Sequence, residues 1–260
     1  MKAIISISLL FFSGFLNASV MLYSNGLSIF GLEKTDSQEL NATMYGGSYE
    51  GGASSPADCV LKYRLVKNGE NFKGELLPFS TELMSYSTSS GGDITFELDK
   101  NTVTIVSESA PDVCPLESNF SGDYHYLNKD HSDYKSAFDS FMKFNYTNSL
   151  NVNRKFGANK ASQYLKPYMD EAIADGYYYA SIYNDYGYFL QQANLNAEAV
   201  EILKIVISRS PGRTVAYLNI ADAYWDLKKF DEAVKNYKLY LSMMNGKKDK
   251  IPERVFKRVN

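Results

Sequence analysis

Histidine and tryptophan are nearly missing from this 260-residue chain, which holds two of the first and one of the second. A three-histidine metal site is thereby excluded, and a nucleophile–imidazole pair would have to use His125 or His131. Also absent are a Gly-x-Ser-x-Gly elbow, a glycine-rich phosphate loop and a His-Glu-x-x-His helix. Neither sign of charge dominates: 27 Lys and Arg face 30 Asp and Glu, for a net charge of −3. Such a balance argues against nucleic acid or an anionic membrane as partner. Long apolar runs are lacking too, apart from one. Lys2 is followed by Ala3 to Leu16, broken only by serines and Gly14, and then by Asn17-Ala18-Ser19. This stretch is shorter than the roughly 20 residues a membrane helix needs. Its layout is that of a secretory signal peptide, residues 1–18, cut after Ala18. The residue directly after the cut is Ser19 and not cysteine, so a bacterial lipoprotein anchor is not expected. The expectation is a periplasmic or secreted chain with no integral membrane segment after cleavage, its net charge moved to −4 by the loss of Lys2.

Cysteine is scarce as well. Cys59 and Cys114 are the two present, and in an oxidising compartment a lone pair of thiols is expected as a disulfide. Closing a loop of that length stabilises by about 4 kcal/mol in the chain-entropy treatment. Neither Cys-x-x-Cys spacing nor an adjacent histidine favours a metal thiolate. The sequons at Asn41, Asn119 and Asn145 carry meaning only on a eukaryotic secretory route, whereas the brief leader and few cysteines suggest a bacterial one.

What is present divides by period. Residues 19–127 read as an antiparallel β domain. Cys59, Leu61, Tyr63 and Leu65 alternate with Lys62 and Arg64, and Asn68-Gly69 turns the chain toward Phe72, Gly74 and Leu76. A second hairpin joins Ile94, Phe96 and Leu98 through Asp99-Lys100-Asn101 to the run Thr102 to Val106. Ser85 to Gly92 reads as a loop. Gly46-Gly47-Ser48-Tyr49 and Phe120-Ser121-Gly122-Asp123-Tyr124 set glycine beside tyrosine, as where a ring covers a bulge. From residue 128 to 260 the period is near 3.6. Tyr134, Ala137, Phe138 and Phe141 mark one helix, and a second is expected from Lys160 to Ala174, with Pro167 early in it or kinking it. The asparagine-rich stretch 145–159 reads as a linking loop.

The C-terminal part repeats itself at one constant offset. Tyr183 aligns with Tyr217, Tyr186 with Ile220, Gly187 with Ala221, Leu190 with Tyr224, Ala199 with Ala233, Leu203 with Tyr237 and Val206 with Tyr240, and Pro211 closes the first unit. These positions resemble the tetratricopeptide repeat in two units, 180–213 and 214–247. The small residues Gly187, Ala199, Ala221 and Ala233 would let paired helices approach, with large neighbours filling the groove. Asn196 stands where the second unit has Phe230, and Asn245 where a closing proline is usual. The helices before residue 174 would supply a degenerate further hairpin, and Ile251 to Val259 a cap. The β domain is loosely similar to small secreted bacterial β domains of the lysozyme-inhibitor kind. The fold class expected is therefore α+β in two domains.

By the resemblance, first helices turn Asn184, Tyr188, Gln191 and Gln192 of one unit, and Leu218, Asp222, Trp225 and Asp226 of the next, into a concave groove. A tryptophan between two carboxylates suits a hot spot for a basic or mixed peptide, and the same residue could instead pack against the cap. The basic run Lys247, Lys248, Lys250, Arg254, Lys257 and Arg258 reads as a solvated face. Asp123, His125, Asp130, His131 and Asp133 form the most enzyme-like cluster, at a strand exit and helix start where caps are ordinary. The reading is a non-catalytic exported protein that binds another protein or peptide without a cofactor. It would be an inhibitor or immunity factor against a cell-wall enzyme or toxin. An envelope assembly adaptor, a metal-dependent hydrolase and a carbohydrate-binding protein with Tyr177, Tyr178 and Tyr179 stacking on sugar are the alternatives.

Overall fold

The structure, a computed structural model, describes residues 20–34, 39–46, 59–80, 85–86, 92–109, 113–114, 118 and 120–259. The expected signal peptide, residues 87–91 of the expected loop and the Gly47-Ser48-Tyr49 motif lie outside the described residues. The chain divides into two compact units, 1–144 and 145–260.

In the first unit the strands are β1 (Val20–Ser24), β2 (Ser28–Lys34), β3 (Leu40–Gly46), β4 (Val60–Asn68), β5 (Asn71–Leu76), β6 (Phe79–Ser80), β7 (Ser85–Tyr86), β8 (Asp93–Asp99), β9 (Thr102–Ser109) and β10 (Gly122–Tyr126). Eight of them close into an antiparallel barrel in the order β1-β10-β9-β8-β5-β4-β3-β2, while β6 and β7 pair by themselves. Alternation decides which side chains fill the barrel. Phe30, Met44, Leu61, Tyr63, Phe72, Phe96, Val103 and Tyr124 are buried together, with Phe72 stacked on Phe96 at 5.2 Å and Phe30 edge-on to it at 5.1 Å. Gly74 is inward, where an added Cβ would stand 2.8 Å from Ile94 and from Leu65. The turn from β4 to β5 pairs Asn68 with Asn71 across Gly69 and Glu70, and Gly69 takes φ +67°, a geometry open to glycine. Tyr124 donates its hydroxyl to the Phe120 carbonyl at 2.9 Å, tying down the glycine-tyrosine segment.

A register shift between Thr95 and Phe96 opposes Thr95 to Ser107 but Phe96 to Ile105. This bulge turns Glu108 toward the barrel, where it accepts the Tyr63 hydroxyl at 2.9 Å and burial pushes its pKa up. On the outer side, Lys62 donates to Glu33 at 2.5 Å and Thr43 donates to the same carboxylate, all three buried. Part of the expected Ser85 to Gly92 loop is strand: Tyr86 accepts the Lys62 amide at 3.0 Å. Cys59 and Cys114 are bonded, with Cα atoms 5.4 Å apart.

Helix α1 (Tyr134–Phe156) carries the change of unit. The change of period falls near residue 127, yet the first turns of α1 pack with the barrel. Phe141 lies against Gly31 so closely that any Cβ there would overlap its ring. Tyr45 donates to the Ala137 carbonyl at 2.7 Å and meets Phe144 edge-on at 5.0 Å.

The asparagine-rich stretch is thus helix as far as Phe156, not a loop. Its polar side chains have partners inside the second unit: Tyr164 donates to Asn145 at 2.7 Å and Tyr146 to Asp185 at 2.6 Å. Packing here overrides propensity. Helix α2 (Ala158–Ala174) contains Pro167, whose missing donor falls opposite exposed Gln163. Then come α3 (Ala180–Gln192), α4 (Asn196–Arg209), α5 (Thr214–Asp226), α6 (Phe230–Met243) and α7 (Glu253–Val259). The turns from α3 to α4 and from α5 to α6 are one turn, repeated at the offset seen in the sequence. Asn194 and Lys228 take φ 63° and 61°, and Leu195 and Lys229 donate back to Leu190 and Tyr224, each at 2.9 Å, closing α3 and α5 in a Schellman pattern. At Gly187 an added Cβ would stand 2.6 Å from Leu203, and Ala199, Ala221 and Ala233 are fully buried. The protein is therefore α+β, with a disulfide-bonded β-barrel unit and a helical repeat unit.

Two measurements test this packing. Gly31→Ala should overpack Phe141 and lower stability by about 1–3 kcal/mol in urea denaturation. Burial, then the neighbouring Tyr126, raises the pKa of Tyr23 from 10.0 to about 12. The folded barrel therefore keeps a proton that the unfolded chain loses. Its contribution is complete below pH 10 and is lost as pH rises to about 12. Urea titrations across that range should show the decline, and Tyr23→Phe should make it shallower.

Candidate functional site

Helices α3 and α5 begin one repeat apart, so equal register positions share one face: Asn184 with Leu218, Tyr188 with Asp222, Gln191 with Trp225 and Gln192 with Asp226. A cleft of about 380 Å³ opens on this face. It is lined by Tyr188, Gln191, Gln192, Asp222 and Asp226, and by Arg254 and Arg258 of α7. Asn184 and Leu218 are buried away from it: Asn184 accepts from Asn219 at 3.4 Å and donates to Asp185 at 2.9 Å, while Leu218 packs with Val255.

Asp222 is the centre of the site. It is 6% exposed, and a carboxylate so buried requires charge-assisted donors. Tyr237 of α6 donates to it at 2.6 Å, Arg254 through Nε at 3.1 Å and Nη2 at 2.7 Å, and Arg258 at 2.8 Å. Arg258 also donates to the Tyr237 hydroxyl at 2.5 Å. Burial and then the bond to Asp222 push the pKa of Tyr237 up, and the hydrogen bond to Asp222 does the same for Arg254. One turn along α5, Asp226 is exposed. Gln191 donates to it at 2.8 Å, and Gln192 donates to Gln191 at 2.6 Å, linking the two repeats through side-chain amides.

Trp225 is half-buried, with Phe230 edge-on at 4.8 Å and the Arg258 guanidinium 4.8 Å from its ring centre, within cation–π range. In the first repeat the corresponding pair is Gln191 and Asn196, so an aromatic contact is replaced by amides. The Asn196 Oδ1 is buried with no hydrogen-bond partner among the described residues. Part of the basic run is not a solvated face, because Arg254 and Arg258 ligate Asp222. Their signal lies in the continued offset. Ile251, Arg254, Val255 and Arg258 stand one repeat after Tyr217, Ile220, Ala221 and Tyr224, giving α7 the register of a third first helix. Val255, where a following helix would require Gly or Ala, suits a cap.

The residues of the His125 and His131 cluster have local partners. Asp123 accepts from Thr104 at 2.7 Å, and His131 Nδ1 accepts the Asp133 amide at 3.2 Å. No group able to hold a metal forms among the described residues. Tyr178 donates to Ser210 at 2.9 Å, and Tyr177 accepts the Tyr183 hydroxyl at 2.7 Å through its carbonyl. Among the described residues, no helix is long and apolar enough to cross a membrane.

Residues 215–243 match the family model of the tetratricopeptide repeat. With the repeated turn geometry and helix contacts, the helical unit is a tetratricopeptide-repeat array, a fold that serves protein–protein interaction. Among curated proteins, the chain is 31% identical over 115 residues to a secreted RxLR effector protein of Plasmopara halstedii, covering 41% of this chain and about a third (34%) of that one. Among solved structures, it is similar to the second tetratricopeptide domain of human RPAP3 in complex with an HSP70 peptide. That match has 14% identity and a TM-score of 0.38, over 46% of this chain and 92% of that one.

Removing the central carboxylate separates the roles of the two acids. Asp222→Ala leaves the Tyr237 hydroxyl buried without its acceptor and should lower stability by about 2–4 kcal/mol in urea. Asp226→Ala, at an exposed position, should stay within about 0.5 kcal/mol.

Proposed function

We propose that this is an exported, non-catalytic protein whose repeat unit holds a segment of another protein in the cleft between Tyr188, Gln192 and Asp226. It would act as an inhibitor or immunity factor against a cell-wall enzyme or toxin. One observation carries the reading. Successive first helices present an open polar cleft whose exposed groups, a tyrosine, an amide and a carboxylate, can each engage a bound chain, while its floor is fixed by ion pairs. The signal-peptide layout of residues 1–18 and the Cys59–Cys114 bond support export, and the curated relative is itself described as secreted.

The test is an affinity pull-down with the mature chain from envelope and culture-fluid extracts, repeated with Tyr188→Ala/Gln192→Ala. The recovered partner should bind the variant at least about tenfold more weakly, while the melting temperature stays unchanged. Retention of every partner by a folded variant would place binding elsewhere on the protein. Recovery of a lytic enzyme or toxin supports inhibition, and recovery of envelope-assembly proteins would overturn it in favour of an adaptor.

A further inference from the structure

The seam between α3 and α5 differs in kind from the seam between α5 and α7. At the positions where α5 carries Ile220 and Tyr224, α7 carries Arg254 and Arg258, and both reach back to Asp222. Beyond these ion pairs, α7 is held by Arg258 on the Tyr237 hydroxyl and the Trp225 ring and by a short apolar face. It is a seven-residue helix with one buried residue, Val255, assisted by the partly buried Ile251 and Val259. The Arg254 side chain is 46% exposed, so its ion pair is open to screening and exchange with solvent. On α5, Asp222 and Asp226 stand one turn apart. On α7, the two arginines stand one turn apart as well, yet both go to Asp222, and Asp226 remains exposed in the cleft.

We propose that α7 is an internal occupant of the cleft, a strap whose i, i+4 arginine pair holds the place of a basic helix on the partner. The inference rests on the reading of the cleft as a binding site, and it adds the chemistry of what binds there. The preferred partner segment is a helix with two Lys or Arg residues one turn apart. One cation replaces Arg254 at Asp222 and the other reaches Asp226, which α7 leaves uncovered. Tyr188, 38% exposed and lining the cleft, supplies an aromatic ring for the incoming cations to meet. Because the strap must leave first, the apparent affinity of the intact chain is the intrinsic one reduced by the fraction of molecules in which α7 is undocked. The strap also keeps Asp222 paired in the absence of a partner, which a buried carboxylate needs.

The probe is a synthetic peptide of residues 247–260, used against the full mature chain and its Arg254→Ala/Arg258→Ala variant. The variant should bind the peptide at least about tenfold more tightly than the unchanged chain, and adding Asp222→Asn should remove that gain. On the unchanged chain, saturating peptide should speed amide exchange across 253–259 and shift the emission of Trp225, the single tryptophan, as Arg258 leaves its ring. Equal affinity for both chains, or peptide binding with α7 exchange unchanged, would overturn the proposal and leave α7 a structural cap. Should the double variant fold poorly by circular dichroism, Arg254→Gln makes the same comparison with Arg258 still on Trp225. If the peptide does not move α7 while Tyr188→Ala/Gln192→Ala still loses its pulled-down partner, the cleft stands and the strap alone falls.

Discussion

Close approach of paired helices is the constraint on which the helical unit depends. Gly187 touches Leu203 with no space for a methyl group between them, and Ala199, Ala221 and Ala233 are wholly enclosed. Beside these contacts, matching left-handed turns at Asn194 and Lys228 lead from each first helix into its second, so the two hairpins share one design. That shared design lines up Tyr188 with Asp222, and Gln191 with Trp225. The cleft is thus a consequence of small residues set beside it along the same first helices and on the second helices they meet.

Asp222 shows how a repeat is modified locally without losing its frame. Its neighbours Ala221 and Ala223 are core residues, so its own position follows from theirs. Placing a carboxylate there obliges the structure to surround it, and two helices do so through Tyr237, Arg254 and Arg258. The first repeat has Tyr188 at this position, half open to the cleft, and needs no such cage. Two repeats of one design therefore present different chemistry on the same face.

Much of the scaffold was legible in the sequence, and its polar centre much less so. Alternation through Leu61, Tyr63 and Leu65, and again through Ile94 and Phe96, marks inward faces because a strand has a fixed period. The constant offset from Tyr183 to Tyr217 onward marks the repeat because helix contacts demand small residues at set places. Asparagine misled at 145–156: its helix propensity is low, but the buried Asn145 has a partner in Tyr164, and pairwise satisfaction has no period. The same holds for Arg254 and Arg258. Their type suggested solvent, and their alignment with Ile220 and Tyr224 was the signal that they turn inward. The outward-facing yet buried Lys62, paired with Glu33, likewise follows from packing that strand alternation alone does not describe.

The barrel's connectivity has a kinetic consequence. Of the eight pairings that close it, seven join strands that follow one another in the ring's path along the chain, whereas β1 meets β10 across the whole sheet. Neighbouring hairpins can zip up with small losses of chain entropy, but the closing pair must bring together residues about a hundred apart, and such long-range pairing slows folding. Until that last seam forms, β1 and β10 each expose a free edge. The newly made chain thus passes through an interval in which it is open to pairing with its own copies, an exposure that ends when Tyr23 and Tyr126 come into register.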